Sequence, residues 1–155
     1  MEAQVKEVKN SQANVTGKLN QLLADYQIFY QNLRGLHWNV KGSMFFMLHE
    51  KFEEFYNEAA ETVDELAERI LMIGGKPLHT LSEYVENASL RELKNISDGR
   101  EAVAAVLVNS KTLLQQFRDI LNLAEEADDE GTASLMSDLI GSTEKRIWML
   151  SSYLA

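Results

Sequence analysis

Residues 45–73, FFMLHEKFEEFYNEAAETVDELAERILMI, decide the fold of this chain. Their apolar side chains recur at steps of three and four residues, which places them on one face of an α-helix. Those side chains are Phe45, Leu48, Phe52, Phe55, Tyr56, Ala59, Val63, Leu66, Ile70 and Ile73. Gly74, Gly75 and Pro77 follow and end the helix. The segment therefore predicts an amphipathic helix of about 30 residues, or about 45 Å.

Three more long amphipathic helices are predicted on either side of this one. Apolar stripes with the same spacing cover residues 19–40, 103–124 and 135–154. The first of these helices is expected to begin after Thr16. The pair Ser97–Asp98 is expected to cap the next, and Thr132 to cap the last. No segment alternates between apolar and polar residues as a strand does, so the sequence predicts an all-α fold.

A long connection, residues 74–97, joins the second and third long helices. Within it, Thr80 and Glu83 have the spacing of a capping box and predict a short helix from Leu81 to about Ala88. A connection of this length allows a crossover, and a four-helix bundle with one long crossover is the ferritin-like arrangement. We predict one such domain over residues 16–155, preceded by a polar, flexible N-terminal tail at residues 1–15.

Composition and charge exclude several classes of protein. The chain has 155 residues, of which 45% are hydrophobic, so it is neither disordered nor fibrous. It has no cysteine, which excludes disulfides, thiolate metal sites and thiol catalysis and fits a cytoplasmic location. Its net charge of −9 repels nucleic acid and anionic membranes and attracts cations. No apolar run is long enough for a membrane helix, and no export signal is visible.

The candidate chemical groups are two histidines and three carboxylates. His37 and His49 lie on the apolar sides of the first two helices, and Glu53, Asp64 and Glu68 follow on the second helix. A single histidine on an apolar face is more often a core residue, and helix carboxylates are more often merely solvated. Two histidines on adjacent helices, with carboxylates on one of them, favour a metal site instead.

One chain is unable to complete that site. His49 and Asp64 are 15 residues apart, about 22 Å along a straight helix, whereas metal–ligand bonds are about 2 Å. Either these residues serve different places, or an antiparallel second copy of the chain brings them together. The Glu-x-x-His pairs of an intrachain di-iron bundle are absent, because Arg34 and Phe46 occupy the positions that need glutamate.

Several stretches of the chain resemble the Dps family, the mini-ferritins also known as DNA-binding proteins from starved cells. The similarity covers nearly the whole chain beyond the tail and is specific in the spacing of its histidines and carboxylates. The stretches are GLHWNVKG (35–42), FFMLHEKF (45–52), VDELAERI (63–70), GGKP (74–77) and KRIWM (145–149).

The resemblance implies a ferroxidase, an enzyme that oxidises ferrous iron. It implies a homo-oligomeric shell of twelve chains that stores ferric mineral, with hydrogen peroxide as the preferred oxidant. Each catalytic site would take His37 and His49 from one chain and Asp64 and Glu68 from its two-fold partner. Glu53, where the family often has aspartate, is a further candidate iron ligand.

Two other functions stay open at this point. The family name suggests a nucleoid protein that coats DNA, but Lys6 and Lys9 in the tail are balanced by Glu2 and Glu7. We therefore expect DNA binding to be weak or absent. A helical bundle that only assembles is the third possibility, which the paired site residues disfavour.

Overall fold

The computed structural model describes residues 1–155 and contains five α-helices and no β-strand. The helices are α1 (Glu2–Asn39), α2 (Phe45–Met72), α3 (Leu81–Asn87), α4 (Gly99–Glu126) and α5 (Glu130–Leu154). The first long helix packs on α2 and α4, α4 packs on α5, and the short α3 lies against α1. The prediction of an all-α, ferritin-like four-helix bundle with a short helix between the second and third long helices is confirmed. No helix contains an apolar stretch long enough to cross a membrane.

The apolar stripes of the four long helices meet in a single core of 27 buried residues. Leu33 of α1, Phe52 of α2, Phe117 of α4 and Met136 of α5 are all fully buried. Each such side chain stabilises the fold by about 1.5–3 kcal/mol. Isolated helices are marginal in water, so this shared core accounts for most of their stability.

Two polar side chains of α1 fix the long connection. The Asp25 carboxylate is fully buried and accepts hydrogen bonds from the backbone amides of Ser89 and Leu90, at 2.6 and 2.7 Å. Asn32, two turns further on, accepts one from the amide of Leu93 at 2.9 Å. The connection is thereby held against α1.

Local signals predicted two of the helix starts correctly. Thr80 and Glu83 form the reciprocal hydrogen bonds of a capping box at α3. Asp98 caps α4, where its carboxylate accepts a hydrogen bond from the amide of Glu101 at 2.9 Å.

The predicted start of the first helix was wrong. The helix begins at Glu2, so residues 2–15 are helical even though the first ten residues of the chain are exposed. Burial begins only at Val15. Extending an existing helix adds one hydrogen bond per residue without a new nucleation cost, so it needs no apolar stripe. That this exposed segment is flexible in solution remains a proposal.

The predicted cap of the last helix was also wrong. Asp129, not Thr132, precedes α5, and its carboxylate accepts hydrogen bonds from the Thr132 amide and hydroxyl at 3.0 and 2.6 Å. Arg69 of α2 donates to the same carboxylate at 2.7 Å. Burial raises the pKa of Asp129, but the hydrogen bonds, chiefly those from Thr132, outweigh it and lower the pKa overall. This contact ties the C-terminal end of α2 to the start of α5.

Candidate metal centre

The two histidines predicted as metal ligands lie against each other. His37 is in the last turn of α1 and His49 is near the start of α2. Their rings stack with centroids 3.7 Å apart and planes 13° apart. The Nδ1 atom of His37 lies 2.6 Å from the carbonyl oxygen of His49, and Nδ1 of His49 lies 2.7 Å from the carbonyl oxygen of His37.

These reciprocal contacts determine which ring nitrogen carries hydrogen. A carbonyl oxygen only accepts hydrogen bonds, so both Nδ1 atoms must be donors. The remaining nitrogen of each ring, Nε2, is then the atom with a lone pair for a metal ion. Histidine ligands of metals are generally held in this way, by a hydrogen bond from the other ring nitrogen. The pair is therefore pre-arranged for metal binding.

The tight connection between α1 and α2 creates this pairing. Gly42 has a φ of +108°, which a residue with a side chain rarely adopts, and lets the chain reverse. The amide of Lys41 donates to the carbonyl of Ser97 at 2.9 Å and fixes the end of α1. The carbonyl of His37 is one of the last of α1 and lacks a helical donor, so the ring of His49 satisfies it.

A tyrosine joins the histidine pair to the first candidate carboxylate. The ring of Tyr56 meets that of His37 edge-on at 5.2 Å, and its hydroxyl donates to Oε1 of Glu53 at 3.1 Å. Burial, followed by the hydrogen bond to Glu53, raises the pKa of the Tyr56 hydroxyl. The Arg34 guanidinium carbon lies 5.4 Å from the centroid of the same ring. By spacing alone Tyr56 is part of the apolar stripe of α2, and nothing in the pattern assigns a role to Arg34.

The other two candidate carboxylates are elsewhere. Asp64 and Glu68 are exposed further along α2 and make no hydrogen bond or salt bridge within the chain. No group of three or more histidine, aspartate or glutamate side chains comes close enough together to hold a metal ion. The chain thus brings His37, His49 and Glu53 to one region and leaves Asp64 and Glu68 apart from them.

The interior of the bundle carries a cation that the apolar pattern did not predict. Arg146 is buried, and its Nε donates to the hydroxyl of Ser110 at 3.1 Å. Its guanidinium lies 5.2 Å from the ring centroid of Phe29 and 5.8 Å from that of Phe55, and it forms none of the salt bridges of the chain. A buried positive charge opposes metal binding nearby, which points to the histidine region instead. The only sequence signal was the spacing of Arg146, seven residues after Leu139 and four before Leu150, which places it on the apolar side of α5.

Comparison with known proteins agrees with this fold. Residues 16–155 match the family model of the ferritin-like domain. The chain is 40% identical to DNA protection during starvation protein 2 of Bacillus anthracis over 136 residues, which is 88% of this chain and 93% of that protein.

Solved structures of Dps proteins have the same fold as this chain. A Dps protein from Vibrio cholerae, described as a member of a broad superfamily of ferritin-like diiron-carboxylate proteins, aligns with a TM-score of 0.92 and 46% identity, covering 94% of this chain and 92% of that one. A Dps protein from Bacillus brevis aligns with a TM-score of 0.92 and 40% identity, covering 94% and 98%. Matched over nearly its full length in both sequence and structure, this chain belongs to the Dps family of ferritin-like proteins.

Proposed function

We propose that this protein is a cytoplasmic ferroxidase and iron store, which oxidises Fe²⁺ and keeps the ferric product as a mineral inside a hollow shell of twelve chains. The observation that carries the proposal is the stacked pair of His37 and His49, whose reciprocal Nδ1 contacts leave both Nε2 atoms for a metal ion. The described diiron-carboxylate character of the Vibrio cholerae relative supports iron as that metal.

Each catalytic site would be shared between two chains. Asp64 and Glu68 are exposed and unpaired, which suits ligands that act on a neighbouring molecule. In an antiparallel pair related by a two-fold axis, position 49 of one α2 helix meets position 64 of the other. His37 and His49 of one chain then face Asp64 and Glu68 of its partner, which resolves the separation of about 22 Å along one helix.

The ligand types suit the oxidation of iron. Imidazole and carboxylate both bind Fe²⁺, and a small ligand set leaves positions open for an oxidant. Carboxylates also favour the more highly charged Fe³⁺. With hydrogen peroxide as oxidant, two Fe²⁺ ions each lose one electron, the O–O bond breaks, and two protons are taken up to give two water molecules. A paired transfer of this kind releases no hydroxyl radical, and peroxide is therefore the oxidant we propose.

Exposed apolar side chains near the histidines support assembly with other copies. Trp38 is 56% exposed and Phe46 is 83% exposed, and each is next in sequence to, or one turn from, a candidate ligand. Met44 and Met47 in the same stretch are also exposed, and a cluster of exposed apolar side chains marks a surface that other molecules cover. Contact between copies at this surface is what the shared site requires.

A DNA-coating role is the alternative, because the name of the Bacillus anthracis relative refers to DNA protection. The charge opposes it: twelve chains at −9 each give about −108, and DNA binding depends on basic contacts that release counterions. We propose that binding to duplex DNA is weak or absent at about 150 mM salt. Retardation of duplex DNA in a gel by nanomolar protein, without divalent metal, would favour the alternative.

Anaerobic loading with Fe²⁺ followed by peroxide or dioxygen tests the proposed function. We expect a fast rise in ferric absorbance with about one peroxide consumed per two iron ions, and a much slower rise with dioxygen. The His37→Ala/His49→Ala variant should assemble but oxidise iron slowly. His79→Ala is the matched control, because His79 is exposed in the connection and bonds only locally. Full activity in the double variant would place the site elsewhere.

A further inference from the structure

We propose that Tyr56 is a positioning residue that fixes the carboxylate of Glu53 as the ligand of a second iron ion beside His49. This inference rests on the proposed ferroxidase function and deepens it. Glu53 lies one turn after His49 on α2, so the two side chains are neighbours on the helix surface. Because Glu53 is exposed, a further contact is needed to hold its carboxylate in one place.

The ring of Tyr56 contacts three other side chains. It meets His37 edge-on at 5.2 Å and Tyr30 edge-on at 6.0 Å, and the guanidinium of Arg34 lies 5.4 Å from its centroid. Arg34 is itself fixed, since its Nη1 donates to the Tyr30 hydroxyl at 2.7 Å. Because these neighbours hold the ring, the Tyr56 hydroxyl is a donor with a fixed position next to the histidine pair.

That donor occupies one oxygen of Glu53 and leaves the other available. The Tyr56 hydroxyl donates to Oε1 at 3.1 Å, and Oε2 has no hydrogen-bond partner in the chain. An ionised carboxylate has room for several partners, so a hydrogen bond to one oxygen orients the second without using it. Glu53 would then bind a metal ion through Oε2, one turn of α2 from His49.

The surroundings also leave the negative charge of Glu53 unpaired. The adjacent Glu54 forms a salt bridge with Lys51 at 2.6 Å, but Glu53 forms none. Arg34 is the cation that contacts the Tyr56 ring, and its contacts are to aromatic rings and the Tyr30 hydroxyl, not to Glu53. A carboxylate oriented by a neutral hydroxyl, without a neutralising cation, keeps its attraction for a metal ion.

The Tyr56→Phe variant tests this role because it removes the hydroxyl and retains the ring. The measurement is anaerobic titration of the assembled protein with Fe²⁺ by calorimetry, which counts the ions bound per site and needs no oxidation. We expect two ions per site in the wild-type protein. In the variant we expect the first to bind normally and the second to bind about 10–100-fold more weakly, the usual cost of losing a group that orients a metal ligand.

Two further variants give the test its controls. Tyr84→Phe removes a hydroxyl that donates to the backbone carbonyl of Leu78 rather than to a carboxylate, and it should leave both ions unaffected. Glu53→Gln should abolish the second ion, and adding Tyr56→Phe to it should cause no further loss, because Tyr56 acts through Glu53.

The outcomes separate this inference from the function on which it rests. Wild-type binding of a single ion per site, or equal affinity for the second ion in wild-type and Tyr56→Phe proteins, would overturn the role of Tyr56. A further loss in the double variant beyond Glu53→Gln alone would also contradict it. Absence of Fe²⁺ binding in the wild-type protein, or undiminished binding after His37→Ala/His49→Ala, would instead overturn the proposed iron site itself.

Discussion

The two ends of α2 differ in how firmly the fold holds the candidate ligands of the proposed site. At the N-terminal end, His49 is half-buried, stacked on His37 and bonded through its Nδ1 atom. At the C-terminal end, Asp64 and Glu68 are exposed and have no partner in the chain. The histidine end is ordered by contacts within the chain, whereas the carboxylate end offers ligands that nothing in the chain uses.

The histidines and the carboxylates of the proposed site therefore differ in what they contribute to the fold. The histidines stabilise the connection between α1 and α2 in addition to any metal they bind. The carboxylates contribute nothing to the single chain, so a role on another molecule is the reason we propose for them. Stability and iron chemistry should therefore respond differently to changes at the two ends.

The largest effect on stability should come from the histidine end. His37→Ala/His49→Ala removes the ring stack and two hydrogen bonds, and we expect a loss of about 2–4 kcal/mol in the free energy of unfolding. Asp64→Ala/Glu68→Ala removes only exposed side chains and should change it by about 0.5 kcal/mol or less. Urea unfolding of both variants measures this, and equal losses would remove the contrast between the two ends.

A smaller effect on the free energy of unfolding is expected at the contact between Arg69, near the C-terminal end of α2, and Asp129 at the start of α5. Asparagine is a good helix cap but has no charge and only one acceptor oxygen. Asp129→Asn therefore removes the ion pair with Arg69 and the hydrogen bonds that the second carboxylate oxygen accepts from Thr132 and Gln12. We expect a loss of about 1 kcal/mol at neutral pH. Urea unfolding of wild type and variant at a series of pH values gives the comparison.

The pH dependence of that loss follows from the lowered pKa of Asp129. A carboxyl group whose pKa is lower in the folded state stabilises the fold fully above its unfolded pKa of about 3.9. That contribution disappears as the pH falls through the folded pKa. The wild type and Asp129→Asn should thus converge in stability at low pH, and a constant difference down to acid pH would contradict the account.

The smallest energetic effect concerns the start of α1. Residues 2–11 lie outside the core, whereas residues 19–36 carry most of the buried side chains of the helix. Amide hydrogens in the first segment should exchange with solvent much faster, because opening an exposed helix end exposes no apolar surface. Hydrogen-exchange mass spectrometry measures both segments in one experiment, and equal protection would mean that another copy of the chain covers the N-terminal turns.

The sequence was sufficient for most of the fold because its signals are local and periodic. Burial repeats along each long helix, and the caps at Thr80 and Asp98 depend on residues only three positions away. The cap of α5 was missed because Asp129 and Thr132 are both good caps, and Arg69, 60 residues earlier, contributes to the choice. The early start of α1 was missed because an exposed helix lacks an apolar stripe.

The site was predictable only in part for a related reason. Placing His37 and His49 on adjacent helices followed from the apolar stripes, but their reciprocal bonds depend on the backbone of the tight connection after α1. Tyr56 and Arg146 were assigned to the core or passed over because both lie at core-facing positions, where pattern alone does not distinguish packing from polar function. Their roles became visible only with their contacts.

The central claim is that each iron site is shared between two chains, and a mixing experiment tests it most directly. His37→Ala/His49→Ala and Asp64→Ala/Glu68→Ala should each be nearly inactive alone. The two variants are unfolded and reassembled together in equal amounts, and mass spectrometry confirms that the shells contain both.

A mixed two-fold pair then holds one site without any of the four ligands and one site with all of them. Half of randomly formed pairs are mixed, so about a quarter of all sites should regain Fe²⁺ oxidation by peroxide. If each site lay within one chain, every site would remain defective. No recovery of activity in verified mixed shells would contradict the shared site.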